Sequence, residues 1–90
     1  MSINELIERG SLAINQPASV IISASRKDEI ALTRHAISAI AYKAGYNYRQ
    51  IAQALNRRCH ATVINSCKRS RQLTDCNRDF RTLYNLIQNG

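Results

Sequence analysis

The stretch RRCHATVINSCKRSRQ, residues 57–72, gathers the side chains best suited to chemistry in this 90-residue chain. Cys59 and His60 are adjacent, and Cys67 and Cys76 follow. Together they nominally supply four zinc ligands. No two of these cysteines are spaced as C-x(2–4)-C, and Cys67 falls on the expected buried face of a helix, so a metal site is not expected. Nucleophilic catalysis fares no better. Adjacent residues on one helical turn point about 100° apart, and no third group is placed to orient the histidine. We therefore expect no catalytic residue and no metal ligand, with Cys59 left as an exposed thiol. The basic residues around it suggest a different chemistry.

The chain holds 13 Lys and Arg against 6 Asp and Glu, a net charge of +7. The distribution says more than the total. Arg34, Lys43, Arg49, Arg57, Arg58, Lys68, Arg69 and Arg71 lie in a block, residues 30–74, that contains no carboxylate. Solvated surfaces ordinarily mix signs, so a single-sign block inside a folded segment points to an anionic partner, nucleic acid above all. A hydrophobic content of 44% supports a globular fold. No apolar run is long enough to span a membrane. The start MSINELIERG lacks the basic and apolar segments of a secretory signal, so a cytoplasmic, nucleoid-associated protein with reduced thiols is expected.

The elements that position the basic block read as helices. Ser2 and Glu5 fit a capping box for a first helix over about residues 3–13, in which Gly10 is a weak point. Pro17 suits the first turn of a short, mostly buried helix, PASVIISA. Residues 30–44 form the strongest helical pattern, with Ile37, Ile40, Ala41 and Ala44 on one apolar face and Gly45 as the stop. Asn47, with Gln50 three residues on, caps the next helix, whose Ile51, Ala52 and Leu55 face inward. A turn over residues 56–59 leads to a helix opening near His60 that buries Val63, Ile64, Cys67 and Leu73. Thr74 or Asp75 caps a last helix with Phe80, Leu83, Tyr84 and Ile87 inward. Nothing alternates with period two. The expected fold is all-α, about six helices in one domain over residues 1–90.

YRQIAQALNRRCHATVINSCKR, residues 48–69, has the logic of a helix-turn-helix, the motif as a whole covering about residues 47–73. Ala52 is small where two helices cross, and Val63 and Ile64 anchor the second helix. Ala61, Thr62, Asn65, Lys68 and Arg69 are then left on faces turned from the core. Small or short polar residues at the helix start let the backbone enter a major groove, where Thr62 or Asn65 can bond base edges. Arg57, Arg58, Lys68 and Arg69 suit the flanking phosphates, as do Lys43 and Arg49. Tyr42, Tyr46 and Tyr48 are expected as packing groups or phosphate hydrogen-bonders rather than base-stacking platforms.

NRRCHATVINSCKR resembles the signature of the C-terminal DNA-binding domain of the bacterial replication initiator DnaA. His60, Thr62, Val63, Ile64, Ser66, Cys67, Lys68 and Arg69 match it. INELIERG, PASVIISA, SRK and TRHAISAIAYKAGYNYRQIAQAL follow the order of the same domain. The resemblance implies a Trp-repressor-like helical fold and double-stranded DNA binding in replication initiation or its regulation. It also implies base contacts by Cys59, His60, Ala61 and Thr62 in the major groove and by Arg34 in the minor groove. Four departures accompany the likeness. Cys59 replaces an aspartate that contacts a base in the family, and Ala61 replaces the first of two threonines. Leu32 and Thr33 stand where the family has arginine and proline, and Asn56 and Arg57 where it has two glycines. The chain carries no G-x-x-x-x-G-K-[ST] motif, so neither an ATPase module nor a nucleotide cofactor is expected. The expected partners are duplex DNA and, secondarily, replication proteins. The alternative is an interaction module or transcriptional regulator with altered or no sequence specificity, since each lost base contact removes about 1–3 kcal/mol of discrimination.

Overall fold

The computed structural model describes residues 2–23, 27–57 and 60–89. Among these it contains six helices and no strand: α1 Ile3–Ile14, α2 Ala18–Ile21, α3 Asp28–Lys43, α4 Tyr48–Ala54, α5 His60–Cys76 and α6 Arg78–Asn89. The all-α expectation holds. The expected contacts at Arg58 and Cys59 fall outside the described residues.

Local chemistry explains most of the boundaries. The Ser2 hydroxyl accepts from the Glu5 amide at 3.2 Å and starts α1. The helix runs past Gly10 and stops where Asn15 adopts a left-handed conformation, φ 54°. Gly10 lies inside the helix because of a close approach. A Cβ there would meet Thr33 Cγ2 at 2.8 Å and Ile37 Cδ1 at 3.0 Å, so the missing side chain lets α1 sit tightly on α3. In α4 the capping box forms in full: Asn47 Oδ1 accepts from the Gln50 amide at 2.8 Å, and Gln50 Oε1 accepts from the Asn47 amide at 2.9 Å.

α3 is the central element, in contact with all five other helices. Burial on several sides explains why Thr33, Ala36 and Ser38 join Ile30, Ile37, Ile40 and Ala41 in its interior. Asp28 and Glu29 in its first turn complement the helix dipole. The core continues through Leu6, Ile21, Ile51, Leu55, Val63, Leu73, Phe80 and Ile87.

Four expectations are corrected. The second helix is one turn long, with Pro17 as its cap rather than its first residue. Its carbonyls at Ile21 and, just beyond the helix, Ser23 accept from the Arg34 guanidinium, which takes the place of helical amides. Ala44 is exposed as the C-cap of α3, followed by Gly45 at φ 108°. The buried line of α5 is Val63, Ser66, Ser70 and Leu73, while Ile64 and Cys67 are half-buried. The first three of these residues lie at i, i+3 and i+7, and two small serines on that line suit close packing against α3. Finally, α5 extends to Cys76, because the Thr74 hydroxyl bonds back to the Ser70 carbonyl at 2.8 Å instead of capping. Asn77 is the cap of α6, its Oδ1 accepting from the Phe80 amide at 3.0 Å. Within α6, Leu83 is only half-buried.

Candidate nucleic-acid interface

The start of α5 presents short side chains to solvent. His60, Ala61, Thr62 and Asn65 are all exposed, whereas Val63 between them is 1% exposed and holds the helix down. Lys68 and Arg69 continue the exposed side, with Arg69 Nη1 donating to Gln72 Oε1 at 3.3 Å. α4 packs against α5, with Ile51, Ala52 and, at its C-cap, Leu55 buried, the pairing expected of a helix-turn-helix. Asn56 turns the chain between them at φ 57°, and the Arg57 amide closes the turn on the Ala52 carbonyl at 2.7 Å. Asparagine tolerates this left-handed geometry, so the turn forms without a glycine pair.

Among the described residues, Arg34 and Arg57 are already engaged near this turn. Arg34 lies in the second turn of α3. Thr33 does not break the helix there. Arg34 Nε donates to the Ile21 carbonyl and its Nη2 to the Ser23 carbonyl, both at 2.6 Å. Arg57 Nη2 reaches the same Ser23 carbonyl at 2.9 Å. Two guanidinium groups thus converge on one connection, tying α2 to α3 and to the turn before α5. Burial, and then the nearby Arg57 charge, hold Arg34 below the ordinary guanidinium range. It stays protonated even so.

The remaining expected contacts are more dispersed. Arg49 is exposed in the first turn of α4. Lys43 Nζ lies 5.6 Å from the Tyr84 ring centroid, a cation–π arrangement at the end of α3. Tyr42 and Tyr48 stack with centroids 4.6 Å apart and planes 3° from parallel. Each therefore has one face covered by the other. The half-buried Cys67 has its thiol pushed up by burial, consistent with an anchor rather than a nucleophile. Among the described residues no group of three His, Cys, Asp or Glu side chains is placed to hold a metal. Nor, among the described residues, is any helix long and apolar enough to cross a membrane.

Sequence reading missed a cleft beside this surface. Ala31, Arg34, His35 and Ser38, at i, i+3, i+4 and i+7, form one stripe of α3. The stripe faces Leu55, Arg57, Thr62, Val63 and Ser66 across a cavity of about 170 Å3. The signal was present as Arg34, His35 and Ser38 at helical spacing along one side of α3. Burial, followed by the charges of Arg69 and Arg34, lowers the His35 pKa from its ordinary value.

No curated protein matches the chain. A family model described as the bacterial dnaA protein helix-turn-helix matches residues 6–69, a segment running from α1 into the middle of α5. That match covers well over half of the chain and includes the α4–α5 crossing, the turn and the exposed helix start. The chain belongs to the bacterial DnaA helix-turn-helix family, whose DNA-binding role in replication initiation now has a structural setting here.

Proposed function

We propose that this chain is a single-domain, sequence-specific binder of double-stranded DNA, acting in replication initiation or its regulation. α5 enters the major groove by its first turns. His60, Ala61, Thr62 and Asn65, together with Cys59, approach base edges, and the helix start favours the electronegative groove and backbone. Arg34 reaches the adjacent minor groove, exchanging its two carbonyl acceptors at Ile21 and Ser23 for acceptors on the bases. Lys43, Arg49, Arg57, Arg58, Lys68 and Arg69 neutralise phosphates. No ATPase, metal or nucleotide takes part. The observation that carries this reading is the exposed, short-side-chain start of α5, anchored by a buried valine within the family-matched segment.

The test compares two kinds of substitution on a panel of duplexes. Thr62→Ala or Asn65→Ala should cut affinity for the preferred duplex by about 1–3 kcal/mol while leaving random duplexes little changed. Lys68→Ala should weaken every duplex alike. Equal losses on every duplex from both kinds of change would mean that α5 does not read bases.

A second reading, a protein-interaction module, draws on Leu12 and Leu86, which are 81% and 54% exposed and line one shallow pocket on α1 and α6. Absence of a mobility shift with any duplex would favour it.

A further inference from the structure

α1 and α6 form an apolar groove with an acidic edge. Leu12 and Leu86, the two most exposed large apolar side chains among the described residues, both belong to it. Three adjoining depressions share Leu86, the largest holding about 440 Å3 between α1, the first turns of α3 and α6. Ala13, Ile14, Leu32 and Leu83 make the lining of that depression mainly apolar. Contiguous apolar surface rimmed by polar groups marks an interaction site, because a partner that covers it removes that surface from water. α6 spans 12 residues, about 18 Å, so the groove has room for three turns of a helix.

The charges at its edge choose the partner. Among the described lining residues the charged ones are Glu29, Asp79 and Arg9. Arg9 is turned to the end of α6, donating to the Ile87 and Gln88 carbonyls at 3.3 Å each. The exposed carboxylates of Glu29 and Asp79 therefore set the sign of the groove, in a chain whose net charge is +7. Each stands in a first helical turn and suits the helix dipole there, but the dipoles do not explain why both border one apolar groove. A second copy is a poor occupant, since symmetric pairing on this face brings both copies' Glu29 and Asp79 into one interface. A basic partner gains where the copy loses. Position also keeps the groove apart from duplex binding. None of the described lining residues lies on α4 or α5. On α3, Glu29 and Leu32 stand roughly 140° round the helix from Arg34, His35 and Ser38, which face α5.

We propose that this groove docks a basic amphipathic helix of a partner protein. Apolar residues of that helix, at i, i+4 and i+7, cover Leu12, Leu83 and Leu86, and its lysines or arginines lie beside Glu29 and Asp79. α5 stays open, so partner and duplex are held on separate faces. This docking uses the surface on which the interaction-module reading rests, and it holds whether or not the chain binds duplex.

The probe is a fluorescein-labelled peptide of leucine, alanine and lysine, about 14 residues long, with leucines on one helical face and lysines flanking them. Its anisotropy is followed as the full chain is added, against a peptide of the same composition with the leucines shuffled off that face. The ordered peptide should bind saturably and about tenfold or more tighter than the shuffled one. A chain of net charge +7 repels a cationic peptide over most of its surface, so such binding reports the groove. Leu12→Ser combined with Leu86→Ser should weaken it about tenfold or more. Both leucines are exposed, so this variant should keep the parent's thermal midpoint to within a few degrees, and its duplex affinity. Glu29→Gln combined with Asp79→Asn should weaken the peptide about fivefold at low salt and have no effect at high salt. Peptide binding by a chain that binds no duplex would leave the groove standing and favour the interaction-module reading. A chain that binds duplex but not the ordered peptide would overturn the groove and leave DNA binding intact. Equal affinity for the two peptides, or affinity unchanged in the leucine variant, would also overturn it. So would a dimer in sedimentation that the leucine changes dissolve, which would give the groove to a second copy.

Discussion

Raising salt from 50 to 200 mM should weaken duplex binding by roughly 500-fold, the consequence of a slope near −4.5 in log K against log[salt] for about five neutralised phosphates. The expectation rests on the acid-free block at residues 30–74, which places Arg34, Lys43, Arg49, Arg57, Lys68 and Arg69 on three successive helices and one turn. Not every one of these cations need be spent on a phosphate. Lys43 sits over Tyr84, and Arg34 and Arg57 hold the Ser23 carbonyl. Anisotropy titrations of one duplex at four or five salt concentrations give the slope directly. A slope near zero would remove the electrostatic basis of binding. A slope near −2 would mean that the internally bonded cations stay where they are.

Phe80→Ala should cost about 3–5 kcal/mol of folding stability, the usual range for emptying a buried phenylalanine site. Phe80 is fully buried and stands beside Tyr84 with ring centroids 6.3 Å apart. A 90-residue chain has a total stability of roughly 5–13 kcal/mol, so this single change consumes a large part of it. Phe80 lies beyond the segment matched by the family, residues 6–69. The effect would therefore show that α6, which packs on α1, α3 and α5, is integral to the fold. Urea unfolding followed by circular dichroism measures it. A midpoint within error of the parent would mean that α6 is an appendage to the core. At low temperature, where the variant is still folded, its duplex affinity should be close to the parent's, because Phe80 is fully buried and offers no surface to a partner.

What could be read from the sequence was set largely by range. The caps at Ser2 and Asn47 depend on residues three apart: at Asn47 both bonds of the capping box formed, whereas at Ser2 the hydroxyl accepts from the Glu5 amide without the return bond from the Glu5 side chain. The inward stripe of α6 was legible because its apolar residues stand out against polar neighbours. α5 was harder. Ser66 and Ser70 resemble solvent-facing residues in a binary pattern, yet their small size is what the contact with α3 uses, and Ile64 and Cys67 rotate partly outward as a result. The truncation of α2 depended on Arg34, 13 residues away, capturing a carbonyl that local patterning would have assigned to a helical amide.

The candidate site divides in the same way. Its basic character and the exposed start of α5 followed from charge and helical phase. The meeting of Arg34 and Arg57 at Ser23 did not, since Arg57 reaches back 34 residues to a backbone atom. Nor did the unpartnered Ser38 hydroxyl, whose burial reflects the packing of α3 on several helices at once. The family resemblance extended the reading to named base contacts, while the replacements at Cys59 and Ala61 leave the preferred DNA sequence to be measured.

Selection of bound duplexes from a random pool, followed by sequencing, tests most directly whether the start of α5 reads bases. The expected result is one enriched motif, lost or broadened when Thr62 and Asn65 are both changed to alanine and kept when Lys68 is. Retention of duplexes with no enriched motif would contradict base reading by α5, and retention of no duplex at all would contradict DNA binding by this chain.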